Sequence, residues 1–263
     1  MSSATVRIER PSHLTLAQPT LILDQVERLA EAVATQAHGS RLLWVSVASA
    51  PEGPPGRTLV VRALHVCPTA RMWALPGWRA TVEGVQEHQG FTLIWTSHEV
   101  EKGLRYLLRQ SHGLLEWLAA PRLPYREQGQ LAIWRQALEE LAPLALHRGA
   151  VETYCAMARG YGQADDPQAR WAAVRHGLTG LCLTQTGQLI TQPEHLLIWA
   201  TSTADLPTWV HDPERWGVVD RSALERLLAG CEGPGLLPAQ APGYHAFSRY
   251  LVRLRLAALA GGW

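Results

Sequence analysis

The spacing of apolar residues changes twice along this chain of 263 residues, and the change limits the folds that it can adopt. Between residues 21 and 37 apolar side chains recur every three or four positions, which predicts a helix. After Gly39 the sequence turns to short runs typical of strands, at Leu42–Ala48, Thr58–Val66 and Phe91–Thr96. From His98 onward the helical spacing returns and continues nearly to the end. This order predicts an α+β fold, in which a small mixed β-sheet core is followed by an all-α helical domain.

The same pattern places a domain boundary where the strands give way to helices. We predict an α/β core over residues 1–97 and a helical domain over residues 98–263, since a chain of this length has room for two small domains. After the helix that begins near His98, the helical domain is predicted to contain Leu114–Ala119, Leu131–Leu141, Ala150–Ala158, Trp171–Leu183, Ser222–Ala229 and Tyr244–Leu259.

Composition excludes several classes of protein. Twenty-four basic and twenty-three acidic residues leave a formal net charge of +1, so any binding of nucleic acid must depend on a local patch. No apolar run approaches the ~18 residues that span a bilayer, and the first residues lack the apolar core of a secretory signal. Four cysteines without a CxxC pair are typical of reduced thiols. We therefore expect a cytoplasmic protein that does not associate with membranes.

One segment of the chain resembles a known family. Glu99–Pro121 is similar to the helix pair that follows the third core strand in a bacterial group of stand-alone predicted nucleotidyltransferases. That group belongs to the polymerase-β superfamily, and some of its members are encoded beside RNA ligases. The matching positions are Lys102, Leu104, Leu107, Leu108, Leu114, Leu115, Glu116, Trp117, Leu118 and Pro121. Tyr125–Glu127 and Tyr154–Arg159 resemble the same group, and the likeness runs from about Leu21 to Leu183.

Gly39 and Ser40 stand between the first predicted helix and the first predicted strand. In the superfamily a Gly-Ser pair occupies this place, and an Asp-x-Asp that binds the metal ions follows one strand later. The resemblance implies that Gly39, Ser40 and Arg41 line a nucleotide site, where a turn exposes backbone N–H groups to phosphate. An ordinary tight connection between helix and strand is the alternative for these residues.

The carboxylates that such a family uses for catalysis are missing from this sequence. Alignment on the strand that contains Arg62 places the three family carboxylates at Thr58, Val60 and Ile94. Two-metal phosphoryl transfer needs oxygen ligands to hold Mg²⁺, and none of these three side chains supplies a carboxylate. The resemblance therefore implies no catalytic residue, no bound metal and no other cofactor.

Acidic residues from elsewhere in the chain are the alternative source of metal ligands. The nearest in sequence are Glu52, Glu83, Glu87 and Glu99. No two of them stand two apart on a predicted strand, which is the spacing that would direct both to one face of a sheet. Their arrangement favours the absence of a metal site.

Cationic side chains recur along the helix that is predicted after the third strand. Lys102, Arg105 and Arg109 are three or four residues apart, opposite an apolar face. By the resemblance this helix borders the nucleotide cleft, and Arg41 and Arg62 are directed toward the same cleft from the sheet. We expect these residues to contact phosphate, and a solvated helix face is the alternative.

Three further features have structural interpretations. The eleven histidines show no HExxH, no HxH and no zinc-type spacing with cysteine, which predicts surface or core histidines rather than metal ligands. Asp165 and Asp166 precede Pro167, and we predict that they cap a helix. Leu115 and Trp117 are expected to be buried where the two domains join.

The combined interpretation is a catalytically degenerate nucleotidyltransferase-like protein that binds nucleic acid or a nucleotide and acts in DNA or RNA repair. One alternative is an active metal-dependent nucleotidyltransferase with displaced carboxylates. The other is a structural homo-oligomer, whose tryptophan-rich surfaces bury against another copy of the chain and which binds no ligand. In the main interpretation, a role as the assembly partner of another protein is the alternative to binding nucleic acid or a nucleotide.

Overall fold

The computed structural model describes residues 7–8, 41–49, 58–69, 72, 80–88, 91–119 and 131–260. Within these residues a mixed four-stranded sheet is combined with helices, so the predicted α+β class is confirmed. The predicted helix between residues 21 and 37 lies outside the described residues, and so do Gly39 and Ser40. Among the helices of the described segments, none has the length and the apolar stretch that crossing a bilayer demands.

The strands are, in chain order, β1 (Arg7–Ile8), β2 (Arg41–Ser49), β3 (Thr58–Val66), β4 (Thr81–His88), β5 (Phe91–Glu99) and β6 (Gln188–Leu189). The four longer strands form one sheet in the order β2-β3-β5-β4. β3 and β5 run parallel, whereas β2 pairs with β3 and β4 pairs with β5 in antiparallel fashion. The short strands β1 and β6 form a separate parallel pair. The three predicted strands are therefore confirmed as β2, β3 and β5.

Strand β4 is absent from the sequence-based prediction. Its residues, Thr-Val-Glu-Gly-Val-Gln-Glu-His, contain only two apolar side chains among polar and charged ones. β4 lies at an edge of the sheet, where charged residues are usual because they discourage pairing with another chain. Hydrophobic alternation is therefore weak in this strand, and alternation is the signal on which the prediction depended.

The helices are α1 (Val100–Leu108), α2 (His112–Ala119), α3 (Leu131–Leu141), α4 (Arg148–Tyr161), α5 (Pro167–Thr186), α6 (Pro193–Thr201), α7 (Arg221–Ala229) and α8 (Tyr244–Leu259). Short 3₁₀ turns occur at Ala142–Ala145, Thr208–His211 and Pro213–Val218. Every helix predicted beyond His98 is present, so the prediction of helices for this half of the chain is confirmed. Helix α6 and the 3₁₀ turns were not predicted from the sequence.

Helix α5 shows why a sequence of this kind begins and ends a helix where it does. The carboxylate of Asp166 accepts a hydrogen bond from the backbone N–H of Ala169 at 2.9 Å, and Pro167 occupies the first helical turn. Asp165 forms an ion pair with Arg170. At the other end Gly187 adopts a φ of +70°, a left-handed conformation that glycine tolerates without a steric penalty. The predicted capping role is confirmed for Asp166.

Packing divides the chain into two compact units, each built from separate stretches. The helical unit comprises the described residues of Met1–Arg10, Leu107–Ala119 and Pro143–Pro242. The sheet unit comprises those of Pro11–Tyr106, Ala120–Ala142 and Gly243–Trp263. The sheet unit thus includes helical segments from beyond residue 97, namely most of α1 together with α3 and α8. The predicted boundary between folding domains at residues 97 and 98 stays a prediction.

In the sheet unit, one face of the sheet is buried. Val61, Ala63 and Leu93 are among the apolar residues of this face, and all are almost completely buried. Two polar side chains on neighbouring strands satisfy each other there, since Nδ1 of His65 lies 2.7 Å from Oγ of Ser97. A polar pair of this kind is tolerated in a core because each buried group has a hydrogen-bonding partner.

Helix α8 is held to the sheet unit by side chains of both kinds. Phe247 and Leu254 are buried apolar residues of α8. The hydroxyl of Tyr250 donates to the carbonyl oxygen of Trp134 in α3 at 3.0 Å. Arg135, the next residue of α3, donates from Nε to the carbonyl oxygen of Leu43 in β2 at 3.0 Å. Burial and satisfied polar groups therefore join α8, α3 and the sheet.

The helical unit has its own core. Trp216 is completely buried, and its indole N–H donates to the carbonyl oxygen of Val210 at 3.0 Å. Leu115 and Trp117 of α2 are also buried, at 0% and 2% exposure. Their predicted position at a domain junction stays a prediction.

Gly84 lies in β4 beneath the indole of Trp95, and we expect Gly84→Ala to lower the free energy of unfolding by about 1–3 kcal/mol. A Cβ atom at this position would lie 2.3 Å from Nε1 and 2.9 Å from Cε2 of Trp95, so the ring must shift. Urea unfolding measures the effect. Gly113→Ala in α2 is the control, because its Cβ would meet no atom within 4 Å. Equal stability of the two variants would contradict this account of Gly84.

Candidate functional site

Every second residue of β3, β4 and β5 contributes to the second face of the sheet, here called the open face. Ile94 and Val85 on this face are 40% and 68% exposed. The strand register arranges its residues in three rows, which are Thr58, Thr92 and Glu87, then Val60, Ile94 and Val85, then Arg62, Thr96 and Glu83. The open face is defined by these nine residues.

The three positions aligned with the family carboxylates meet on the open face. Thr58 and Val60 are two residues apart on β3, and Val60 stands directly opposite Ile94 in the parallel register. Adjacent strands are separated by roughly 4.8 Å, so side chains at these positions can contact one ligand together. They present one hydroxyl and two aliphatic groups where a two-metal site would need carboxylates.

Two of the predicted cationic residues come together at one end of the open face. Nζ of Lys102 donates to Oγ1 of Thr81 at 2.5 Å, and Thr81 stands opposite His98, one row beyond Arg62. Burial lowers the pKa of His98, the positive charges of Lys102 and Arg62 lower it further, and Glu83 opposes them. His98 is therefore neutral at pH 7, and Lys102 and Arg62 supply the positive charge here.

Three further arginines were predicted to contact phosphate. Arg41 is exposed at the first position of β2. Arg105 is exposed on α1 and forms an ion pair with Glu101. Arg109 lies in an exposed turn just beyond the last residue of α1 and belongs to the helical unit. The predicted phosphate-binding role of these arginines stays a prediction, and so does that of Gly39 and Ser40.

Carboxylates are present on the open face, but their spacing does not suit two metal ions. Glu83 and Glu87 both belong to β4 and are four residues apart, which separates their Cα atoms by roughly 13 Å. Oε1 of Glu87 already accepts a hydrogen bond from Oγ1 of Thr92 at 2.7 Å. Two-metal sites hold their ions about 4 Å apart and need ligands that reach both. The described acids of this face therefore do not replace the missing set.

Glu99, another acid near the aligned positions, lies on the buried face of the sheet, opposite the open face. It is completely buried, with Oε1 2.5 Å from Nη2 of Arg255 and Oε2 accepting from the backbone N–H of Glu101 at 2.8 Å. Burial raises the pKa of Glu99, while Arg255 acts to lower it. The carboxylate thus anchors α8 and α1 to the end of β5. Glu52 lies outside the described residues.

A second concentration of polar side chains occurs in the helical unit and is here called the polar cluster. It consists of His112 and Glu116 from α2, Tyr154 from α4, and Arg175 and His176 from α5. Nη1 of Arg175 contacts Oε1 and Oε2 of Glu116 at 3.1 and 3.2 Å. The Tyr154 hydroxyl donates to Oε1 at 3.3 Å, and Nε2 of His112 lies 3.4 Å from the same oxygen.

The protonation states of the polar cluster follow from its burial and charges. Burial by itself would raise the pKa of Glu116, but the guanidinium of Arg175 and the imidazole of His112 lower it to about 2. Burial and Arg175 lower the pKa of His176 to about 3. At neutral pH Glu116 is therefore ionised and His176 is neutral. His112, Glu116 and His176 each offer one ligand atom, and these atoms lie within 4.8 Å of one another.

Sequence reasoning missed the polar cluster because it searched for local metal motifs. His112 and Glu116 are four residues apart, a spacing that places both on one face of a helix. His176 follows sixty residues after Glu116. No short motif connects residues so far apart, although the His-x-x-x-Glu spacing on a predicted helix was a detectable part of the signal.

Comparisons with known proteins identify no family for this chain. No family model matches the sequence, and no curated protein matches it. The chain is similar to the crystal structure of a nucleotidyltransferase-like protein from Exiguobacterium sibiricum 255-15, at 8% sequence identity. The match covers 89% of this chain and 79% of that one, with a TM-score of 0.35, which is too low to support a shared fold or function.

Proposed function

We propose that this protein is a nucleotidyltransferase-like protein that binds a nucleotide or nucleic acid at the open face and lacks metal-dependent catalysis. The observation that supports the proposal is the meeting of Thr58, Val60 and Ile94 on one face of the sheet, where Ile94 is exposed and the other two are half-buried. Thr58 and Val60 share a face because they are two residues apart on one strand, and the parallel register places Ile94 beside Val60. Their side chains supply a surface for contact and no carboxylate for a metal ion.

The cations at the end of this surface favour a ligand that carries phosphate. Arg62 belongs to the open face, and Lys102 is joined to Thr81 one row further along. Guanidinium and ammonium groups donate charge-assisted hydrogen bonds to phosphate oxygens, and the threonine hydroxyls of the open face can add neutral ones. With a net charge of +1 for the whole chain, such a local pair would be the main source of affinity. A role in DNA or RNA repair belongs to the same proposal.

Replacement of Arg62 and Lys102 tests the binding site. We expect the double variant Arg62→Ala, Lys102→Ala to bind fluorescent single-stranded RNA or DNA more weakly, and to reduce the slope of log K against log salt by about 1.4. Each phosphate contact on a single strand contributes about 0.7 to that slope, because it releases condensed counterion. Fluorescence anisotropy over a series of salt concentrations measures both quantities.

Arg221→Ala, at an exposed position of the helical unit, is the matched control and should leave the slope unchanged. Thermal unfolding of the double variant checks that the loss of the contact between Lys102 and Thr81 has not unfolded the sheet unit. An unchanged slope in a folded double variant would contradict the proposed site. No binding of wild-type protein below high micromolar concentrations would contradict the proposed ligand class.

The absence of catalysis is tested separately. We expect no magnesium-dependent incorporation of labelled nucleotide into RNA, DNA or protein by the wild-type chain. Incorporation that Glu83→Gln or Glu87→Gln abolishes would instead identify an active enzyme with displaced carboxylates.

A further inference from the structure

The polar cluster of the helical unit contains the donor set of a transition-metal site. It combines two imidazoles, from His112 and His176, with the carboxylate of Glu116, and their ligand atoms lie within 4.8 Å of one another. Two histidines and a carboxylate are a common donor set for zinc, which leaves a fourth position open for water or substrate. We propose that His112, Glu116 and His176 bind one divalent transition cation of the zinc class.

One distance between two ligand atoms is close to the distance that zinc requires. Zinc binds nitrogen and oxygen ligands at about 2.0–2.2 Å, so two ligand atoms of a tetrahedral site lie about 3.3 Å apart. Nε2 of His112 is already 3.4 Å from Oε1 of Glu116. The rings of His112 and His176 meet edge to face at an angle of 79°, with centroids 4.7 Å apart. The ligand atoms of the three residues lie within 4.8 Å of one another, so they must draw closer together to surround an ion.

Hydrogen bonding in the polar cluster leaves a donor atom available. Nε2 of His112 is buried, and its contact of 3.4 Å with Oε1 of Glu116 is longer than an ordinary hydrogen bond. A buried ring nitrogen normally has a partner, because leaving it without one costs free energy. A bound cation would provide that partner.

Arg175 orients the carboxylate in this arrangement. Its Nη1 contacts both oxygens of Glu116, and it also donates to the carbonyl oxygen of Thr191 at 3.1 Å. When the ion is bound, Oε1 of Glu116, the oxygen beside His112, would coordinate it. Oε2 of Glu116 would then retain its hydrogen bond from the guanidinium of Arg175. Outer hydrogen bonds of this kind commonly fix the ligands of metal sites. The positive charge of Arg175 also repels the bound metal ion, so we expect micromolar rather than nanomolar affinity.

Calorimetric titration of the chelator-treated full chain with Zn²⁺ tests the proposal. We expect one ion per chain, and a loss of affinity of at least about 100-fold in His112→Ala and in His176→Ala, since each removes one of three protein ligands. His211→Ala is the matched control, because His211 is an exposed imidazole of the same unit, and it should bind Zn²⁺ like the wild type. Circular dichroism verifies that each variant is folded.

His176 is 2% exposed and its replacement could unfold the chain, so the result for the more accessible His112 is decisive by itself. X-ray absorption at the zinc edge provides a second readout, in which we expect nitrogen and oxygen ligands and no sulfur. Three results would each overturn the proposal. These are binding weaker than millimolar in the wild type, undiminished binding by folded His112→Ala, and sulfur ligands around the bound ion.

Discussion

Glu116→Gln should lower the free energy of unfolding at pH 7 by about 3–5 kcal/mol, because it leaves the guanidinium of Arg175 without a charged partner. The two side chains are 16% and 13% exposed, so water replaces little of the lost interaction. The pKa of Glu116 is lowered to about 2, below its value in an unfolded chain. The ion pair therefore stabilises the protein above pH ~4.5, and this stabilisation disappears as the pH falls toward 2.

Urea unfolding of both proteins between pH 2.5 and 7, in the presence of a chelator, measures this effect. We expect the two stabilities to converge as the pH falls, since the wild type loses a contribution that the variant lacks. Glu152→Gln is the matched control, because Glu152 forms an exposed pair with Arg148 at 4.0 Å, and exposed pairs contribute at most about 1 kcal/mol. Similar losses in the two variants would show that the Glu116–Arg175 pair is no stronger than a surface contact.

Arg255→Ala should destabilise the sheet unit by a similar amount, about 3–5 kcal/mol at pH 7. The substitution leaves Glu99 completely buried without its cation, and it also removes the hydrogen bond from Nη1 of Arg255 to the carbonyl oxygen of Cys67. Burial already raises the pKa of Glu99, and loss of Arg255 would raise it further. The cost of a raised carboxyl pKa is present at high pH and disappears as the group becomes protonated, so the deficit should shrink as the pH falls.

Unfolding experiments on wild type and Arg255→Ala between pH 4 and 8 measure that trend. Arg253→Ala, at an exposed position two residues earlier on α8, should change the free energy of unfolding by less than about 0.5 kcal/mol. A deficit that stays constant with pH would mean that the charge of Glu99 does not cause it. In that case the loss would come from packing of the arginine side chain.

The sequence predicted the helices well and the sheet in part. Helices α3 and α8 have the predicted bounds, and α5 begins at the predicted cap, because apolar spacing and capping residues act within a few positions of each other. Strand β4 was missed because its pattern is polar. Without β4, the open face loses Glu83 and Glu87, so the sequence alone could not show that these acids share a surface with Thr58, Val60 and Ile94.

The two ion pairs behind the largest expected effects were also invisible in the sequence. Glu99 and Arg255 are separated by more than half of the chain, and nothing in the sequence marks them as partners. Its position facing the end of β5 depends on how α8 packs in the sheet unit. Glu116 was matched to the family only as part of an apolar helix, with no sign of Arg175 as its partner.

The sequence by itself determined the α+β class, the helices after residue 98 and the absence of carboxylates at Thr58, Val60 and Ile94. These properties depend on residue identity and on interactions between near neighbours along the chain. Tertiary structure decided that the three aligned positions share one face, that Lys102 joins Arg62 beside His98, and that two histidines meet Glu116. Such contacts depend on strand register and helix packing, which bring together residues that are far apart in the sequence. Their separation along the chain does not predict their distance in space.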